Sequence, residues 1–104
     1  MVTSTLTRKC TVADADEFAK RSEALLARLR QLLARQPGFV SHELRRADDA
    51  GGMVEVTRWE SADACRRYLR EGGAAMAATL LDAFFPTAPF PDGTWVRQTS
   101  DDAA

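Results

Sequence analysis

Phe39-Val40-Ser41-His42-Glu43-Leu44-Arg45-Arg46 and Met53-Val54-Glu55-Val56-Thr57-Arg58-Trp59 are two alternating runs, separated by Ala47-Asp48-Asp49-Ala50-Gly51-Gly52. Valine, threonine and aromatic residues suit a pleated strand, and the Asp/Gly-rich connector supplies turn residues, so the pair reads as a β-hairpin. If the turn sets Arg46 opposite Met53, then Leu44, His42 and Val40 face Glu55, Thr57 and Trp59 in turn. His42 and Glu55 become diagonal neighbours, about 7–8 Å apart at their Cα atoms. Val54 and Val56, with Phe39 or its neighbours, are left on the opposite face.

Upstream, residues 14–36 carry the strongest helical pattern. Asp14 is placed to cap, with Glu17 three residues on to reach back. Phe18, Ser22, Leu25, Leu29, Leu32 and Gln36 recur at helical spacing, Leu26 and Leu33 widen the stripe, and Pro37-Gly38 ends it. Before this helix, residues 3–12 alternate as a strand, with Leu6, Cys10 and Val12 on one side and Arg8 on that same apolar side. Downstream, Ser61 caps a helix carrying Ala64, Tyr68 and Leu69 that stops at Gly72-Gly73. A further helical stretch holds Met76, Leu80, Leu81 and Phe84. Pro86, Pro89 and Pro91 enforce a loop bearing Phe90, and residues 93–100 offer a last strand. The order strand, helix, strand, strand, helix, strand predicts an α+β, ferredoxin-like βαββαβ fold, a four-stranded antiparallel sheet with helices on one face. A single domain over residues 1–100 and a frayed tail over 101–104 are expected. An apolar sheet face left open calls for a cover, and an identical subunit is the commonest one, giving a homodimer.

Composition excludes much chemistry. The 104 residues are 45% hydrophobic and 28% charged, with net charge −1 from 14 basic and 15 acidic side chains. That balance gives no footprint for nucleic acid or an anionic membrane. No apolar run approaches the roughly 18 residues of a membrane span, and the first residues hold no apolar signal region, so a cytoplasmic location is expected. One histidine, His42, rules out a two-histidine metal site within one chain. Cys10 and Cys65 form no CxxC pair, and no phosphate-binding glycine loop or nucleophile elbow is present. No metal and no cofactor are expected.

The segments Gln36-Pro37-Gly38-Phe39 and Trp59-Glu60-Ser61, which open the second strand and close the third, resemble the antibiotic biosynthesis monooxygenase family. That resemblance implies a dimeric α+β barrel, in which two sheets pack face to face. It also implies that the Glu55, Thr57, Trp59 face looks toward the helices and lines a pocket. In two places the chain departs from the aromatic-polyketide oxygenases of that family. Glu55 stands where they often carry Asn, and Cys65 where they carry Tyr. The heme-degrading branch needs a histidine on the helix after the tryptophan, and none lies between Cys65 and Phe85.

The resemblance implies a cofactor-independent monooxygenase acting on a polycyclic aromatic, polyketide-type intermediate. His42, with an ordinary pKa of about 6.5, suits a base near neutral pH, and Glu55 suits either its orienting partner or the base itself. Trp59 would wall or stack the ring, with Thr57, Leu44, Met76, Phe84 and Phe90 lining the pocket. Arg8 and Arg97 would hold a phenolate or carboxylate, because a guanidinium binds flat anions well. Two other functions fit the same residues: a cyclase or isomerase doing acid–base work without oxygen, and a non-catalytic dimeric binding protein.

Overall fold

The structure of the chain, a computed structural model, describes residues 1–9, 15–46, 52–71, 73–85 and 95–101. Strands β1 (Val2–Lys9), β2 (Phe39–Arg46), β3 (Gly52–Trp59) and β4 (Trp95–Asp101) form one antiparallel sheet in the order β2-β3-β1-β4. Helix α1 (Ala15–Ala34) links β1 to β2, and helices α2 (Ala62–Arg70) and α3 (Gly73–Phe84) link β3 to β4. This is the ferredoxin-like order inferred from the hairpin, with the second crossover built from two helices instead of one.

Burial follows the strand period on one side of the sheet. Val2, Ser4, Leu6 and Arg8 of β1, and Met53, Glu55, Thr57 and Trp59 of β3, are all buried. They meet a helical stripe of Phe18, Ser22, Leu25, Leu29 and Leu33 from α1 and Tyr68, Ala77, Leu81 and Phe85 from the second crossover. The α1 stripe ends on Leu33, with Leu32 half-buried at its flank. Glu17 pairs with Arg21 one turn along, and the capping role read for Asp14 lies outside the described residues.

The end of α1 sets where α2 sits. Gly38 adopts φ +78°, and a Cβ there would come within 2.4 Å of the Ala64 Cβ. The Gly38 carbonyl accepts from the Glu60 N–H at 2.8 Å. Ser61 then caps α2, its side-chain oxygen accepting from the Ala64 N–H at 3.1 Å. Asp63 in the first turn and Arg67 and Arg70 in the last complement the helix dipole.

Four residues depart from their expected places: Val40, Phe39, Met76 and Asp101. Val40 does not face Trp59, because the β2–β3 register slips between Phe39 and Ser41. Phe39 takes that place, and Val40 is 41% exposed. An extra residue in one strand shifts every side chain beyond it to the other face. Phe39 therefore leaves the open face and meets Trp59 edge-on, ring centroids 5.7 Å apart. Met76 also points away from the core, at 61% exposure. Gly73, Ala77, Leu81 and Phe85, each four residues on from the last, are the buried positions, since small residues let α3 approach closely. The outer sheet face is mixed: Thr3, Thr5 and Thr7 run beside Val54 and Val56, with Glu43 and Arg45 on one flank and Gln98 and Ser100 on the other. Asp101, read as the start of a tail, pairs with Val2 in β4.

Candidate active site

The strand registers set the inner sheet face out as rows. Leu44, Glu55, Leu6 and Arg97 lie side by side across β2, β3, β1 and β4, and His42, Thr57, Ser4 and Thr99 form the next row. The hairpin thus makes His42 a diagonal neighbour of Glu55, as the turn pairing predicts. Nε2 of His42 lies 3.1 Å from Oε2 of Glu55, and the two side chains are 3% and 2% exposed. The other ring nitrogen, Nδ1, is buried and meets no hydrogen-bond partner among the described residues. A carboxylate that accepts from Nε2–H fixes the imidazole tautomer and leaves a lone pair on Nδ1. The arrangement is that of an oriented general base.

One row further, the Trp59 indole N–H donates to the Thr57 hydroxyl at 3.0 Å. That hydroxyl donates to the Ser4 carbonyl at 3.4 Å. This chain of contacts locks the indole inward, where it stacks on Tyr68 of α2 with ring centroids 4.6 Å apart. Thr57 thus orients Trp59, and Leu44 packs half-buried against the core beside Glu55. Arg97 reaches over β1, its Nη1 donating to the Ser4 hydroxyl at 2.8 Å.

Tyr68 was not picked out from the sequence. Its hydroxyl is buried with no hydrogen-bond partner among the described residues. Burial pushes the phenol pKa well above its ordinary value; the Glu55 carboxylate pushes in the same direction and Arg97 opposes it. Burial likewise raises the Cys65 thiol, against the pull of Arg97. Both groups are therefore neutral hydrogen-bond donors at ordinary pH. A tyrosine at helical spacing in an apolar stripe looks like core. Only its unsatisfied hydroxyl beside charged strand residues marks it as more.

Two other expected residues lie elsewhere. The Arg8 side chain is fully buried and bonds Asp82 at 2.6 Å and the Phe85 carbonyl at 2.8 Å. Arg21 donates to the Phe84 carbonyl at 3.3 Å, so two guanidinium groups close the C-terminal end of α3. Phe84 packs half-buried against the core, and Phe85 stacks on Phe18. Met76 is not brought to the group, and Phe90 lies outside the described residues. No cluster of three or more histidine, cysteine or acidic side chains suited to a metal occurs among the described residues. Cys65 is a free thiol, and Cys10 lies outside the described residues. No described helix is long and apolar enough to cross a membrane.

The sequence pattern of the family described as Antibiotic biosynthesis monooxygenase matches residues 10–79. A deoxynogalonate monooxygenase of Streptomyces nogalater is 42% identical over 62 residues, 59% of this chain and 52% of that protein, so the chain spans about half the length of this curated relative. The crystal structure of a variant of SnoaB, a cofactor-independent oxygenase from Streptomyces nogalater, superposes with a TM-score of 0.64 at 30% identity, covering 99% of this chain and 93% of that one. ActVA-Orf6 of Streptomyces coelicolor, a monooxygenase crystallised with nanaomycin D, shares the fold, with a TM-score of 0.66 at 18% identity over 99% of this chain and 88% of that one.

Proposed function

The chain belongs to the antibiotic biosynthesis monooxygenase family, and we propose that it is a cofactor-independent monooxygenase of a polycyclic aromatic, polyketide-type intermediate, with His42 as its base. The observation that carries this reading is the buried His42–Glu55 pair, with Glu55 on one ring nitrogen and the other left unengaged. The SnoaB relative, a cofactor-independent oxygenase, supports the oxygen chemistry.

The reaction needs a carbon acid whose anion is a good electron donor. His42 Nδ1 takes the ring C–H proton of an anthrone-like substrate, and Glu55 steadies the imidazolium that forms. The carbanion passes one electron to dioxygen, and the radical pair combines as a C–O bond. The peroxide anion takes back the proton from His42. Loss of water, with the second C–H proton leaving, converts the ring CH2 to a carbonyl. One dioxygen is consumed, one of its atoms ends in the product and the other in water. Trp59 supplies a flat wall for the ring. Two copies of the chain pair through the outer sheet face, where Val54, Val56 and the threonines of β1 form its least charged strip.

Oxygen uptake with 1,8-dihydroxy-9-anthrone, in the presence of a metal chelator, tests the reading. Uptake that is stoichiometric with quinone formation is expected. A chain that consumes no oxygen yet closes a ring under nitrogen would instead be a cyclase, a role the same pair of titratable groups also fits. Light scattering tests the pairing, which predicts twice the mass of one chain.

A further inference from the structure

Thr57 stands at the middle of a polar relay on the inner sheet face. Its hydroxyl accepts from the Trp59 indole N–H at 3.0 Å and donates to the Ser4 carbonyl at 3.4 Å. A hydroxyl has one proton to give, and here it goes to the backbone, which leaves the oxygen lone pairs to the indole. Ser4 is a firm anchor. It lies on β1, the strand flanked by β3 and β4, opposite Thr57 and Thr99, and its own hydroxyl accepts from Arg97 at 2.8 Å. Ser4, Thr57 and Trp59 are all at most 1% exposed, so water does not compete for these groups.

The ring contacts of Trp59 do a different job. Phe39 meets the indole edge-on at 5.7 Å, and Tyr68 stacks on it at 4.6 Å. Apolar packing of this kind holds the plane of a ring. It does not choose which edge of the ring carries the polar group, because the outer torsion of an aromatic side chain is broad and roughly two-fold. The hydrogen bond to Thr57 makes that choice, and it also occupies the one donor that a tryptophan side chain has.

We infer that Thr57 is a positioning residue of the reaction: it commits the indole N–H to the sheet, so that Trp59 acts through its ring alone and gives no hydrogen bond or proton to the reacting oxygen. An indole that served the peroxide would first have to break a buried hydrogen bond, whereas the imidazolium of His42 already holds the proton that the peroxide needs. Thr57 touches no reacting atom. It acts through the tryptophan, and the relay uses its hydroxyl and not its methyl group. The inference rests on the proposed oxygenase reading. It goes further by assigning what the tryptophan contributes and which residue decides it.

The test is a double-mutant cycle in the full chain, read by oxygen uptake with 1,8-dihydroxy-9-anthrone. Thr57→Val, nearly isosteric, should lower kcat tenfold or more while KM changes less than threefold. Thr57→Ser keeps the hydroxyl and should recover most of the rate. Trp59→Phe keeps an aromatic wall with no N–H to place and should retain at least a tenth of the parent kcat. In that background Thr57→Val should cost less than a further twofold, because its partner is gone. Losses that multiply in the double variant would mean that Thr57 meets the substrate itself, and a Trp59→Phe protein without turnover would mean that the N–H serves the reaction. Either result overturns the inference, as does full activity in Thr57→Val.

Two further readouts need no turnover. Solvent exchange of the Trp59 indole proton, followed by NMR, should be tenfold or more faster in Thr57→Val than in the parent or in Thr57→Ser, and an unchanged rate overturns the commitment of the N–H. Affinity for the soluble probe anthraquinone-2-carboxylate, read by quenching of tryptophan fluorescence, should stay within threefold in the Thr57 variants. A larger loss would make Thr57 a binding residue and overturn the positioning role. If Thr57→Val loosens the fold, Thr57→Cys replaces it in the comparison with Thr57→Ser, having the same shape and a weaker acceptor. A parent chain that takes up no oxygen overturns the oxygenase reading, and the exchange and probe results then decide the role of Thr57 alone.

Discussion

Glu55 and His42, on adjacent strands and two residues out of direct register, meet at 3.1 Å in a setting almost sealed from water. A buried carboxylate without a partner costs several kcal/mol, so each group stabilises the other. His42→Ala should lower stability by about 2–3 kcal/mol, because it leaves Glu55 buried and unpaired. Glu55→Gln keeps the shape and an acceptor oxygen and should cost less. Each should cut turnover of the anthrone more than tenfold. Urea unfolding together with oxygen uptake separates the two effects. Full activity in both variants would remove the pair from the mechanism.

Tyr68 gives a prediction at alkaline pH. Its folded-state pKa lies above the ordinary value of 10.0, chiefly through burial. The folded chain therefore holds the phenol proton more tightly than the unfolded chain does. The resulting stability is complete below about pH 10 and drains away as pH rises toward the folded-state value, by about 1.4 kcal/mol per pH unit for one such group. Tyr68→Phe removes this dependence. Because the hydroxyl has no partner to lose among the described residues, it should leave stability near neutral pH unchanged or slightly higher. Thermal midpoints of both proteins between pH 7 and pH 11 check this. Parallel curves would show that the phenol is not held protonated by its surroundings.

Arg8 supports a prediction about structure in place of binding. One nitrogen of its guanidinium, Nη2, donates to both Asp82 and the Phe85 carbonyl, which fastens β1 to the end of α3. Arg8→Lys keeps the charge but is shorter and loses the packing of the planar guanidinium in its fully buried place, and should destabilise by about 2 kcal/mol. Asp82 is half exposed, so Asp82→Asn should cost no more than about 1 kcal/mol. Neither change should weaken an anthraquinone ligand by more than about twofold once the protein is folded. A tenfold loss of binding in Asp82→Asn would return Arg8 to the substrate site.

What the sequence shows depends on whether a local period survives into the packing. The β3 alternation runs unbroken, so Glu55, Thr57 and Trp59 are legible as one face, and the Arg46–Met53 pairing then places His42 beside Glu55. At the far end of β2 the period breaks. One extra residue at Val40 exchanges the roles of Val40 and Phe39, and no turn residue announces it. On α3 the misreading of Met76 has a different cause. Helix α3 holds one glycine and five alanines, and Gly73 and Ala77 share its buried face with Leu81, so a large apolar side chain such as Met76 is a poor guide to that face. Tyr68 and Arg8 were misjudged for a third reason. A residue's place on a face is local information, but whether its polar atoms find partners depends on elements far away in sequence, such as Asp82 for Arg8.

The joint between α1 and α2 carries the last prediction, because it holds Trp59 and Tyr68 in place. Gly38 has a left-handed backbone, φ +78°, and its missing Cβ is where Ala64 of α2 packs. Gly38→Ala therefore meets two costs, about 1 kcal/mol for the backbone and about 1–3 kcal/mol for the overlap at 2.4 Å, which only a shift of α2 relieves. That shift would carry Tyr68 off the indole, so ligand quenching of tryptophan fluorescence should fall together with the thermal midpoint. Ala64→Gly in the same chain removes the overlap but not the backbone strain. It should restore probe binding while recovering only part of the lost stability, after allowance for its own helix cost of about 1 kcal/mol. Binding that stays lost in the double variant would mean that the site is positioned by the backbone of residue 38 itself and not by the seating of α2. A Gly38→Ala protein as stable as the parent would contradict the close approach of the Gly38 turn to α2, which seats Tyr68 on Trp59.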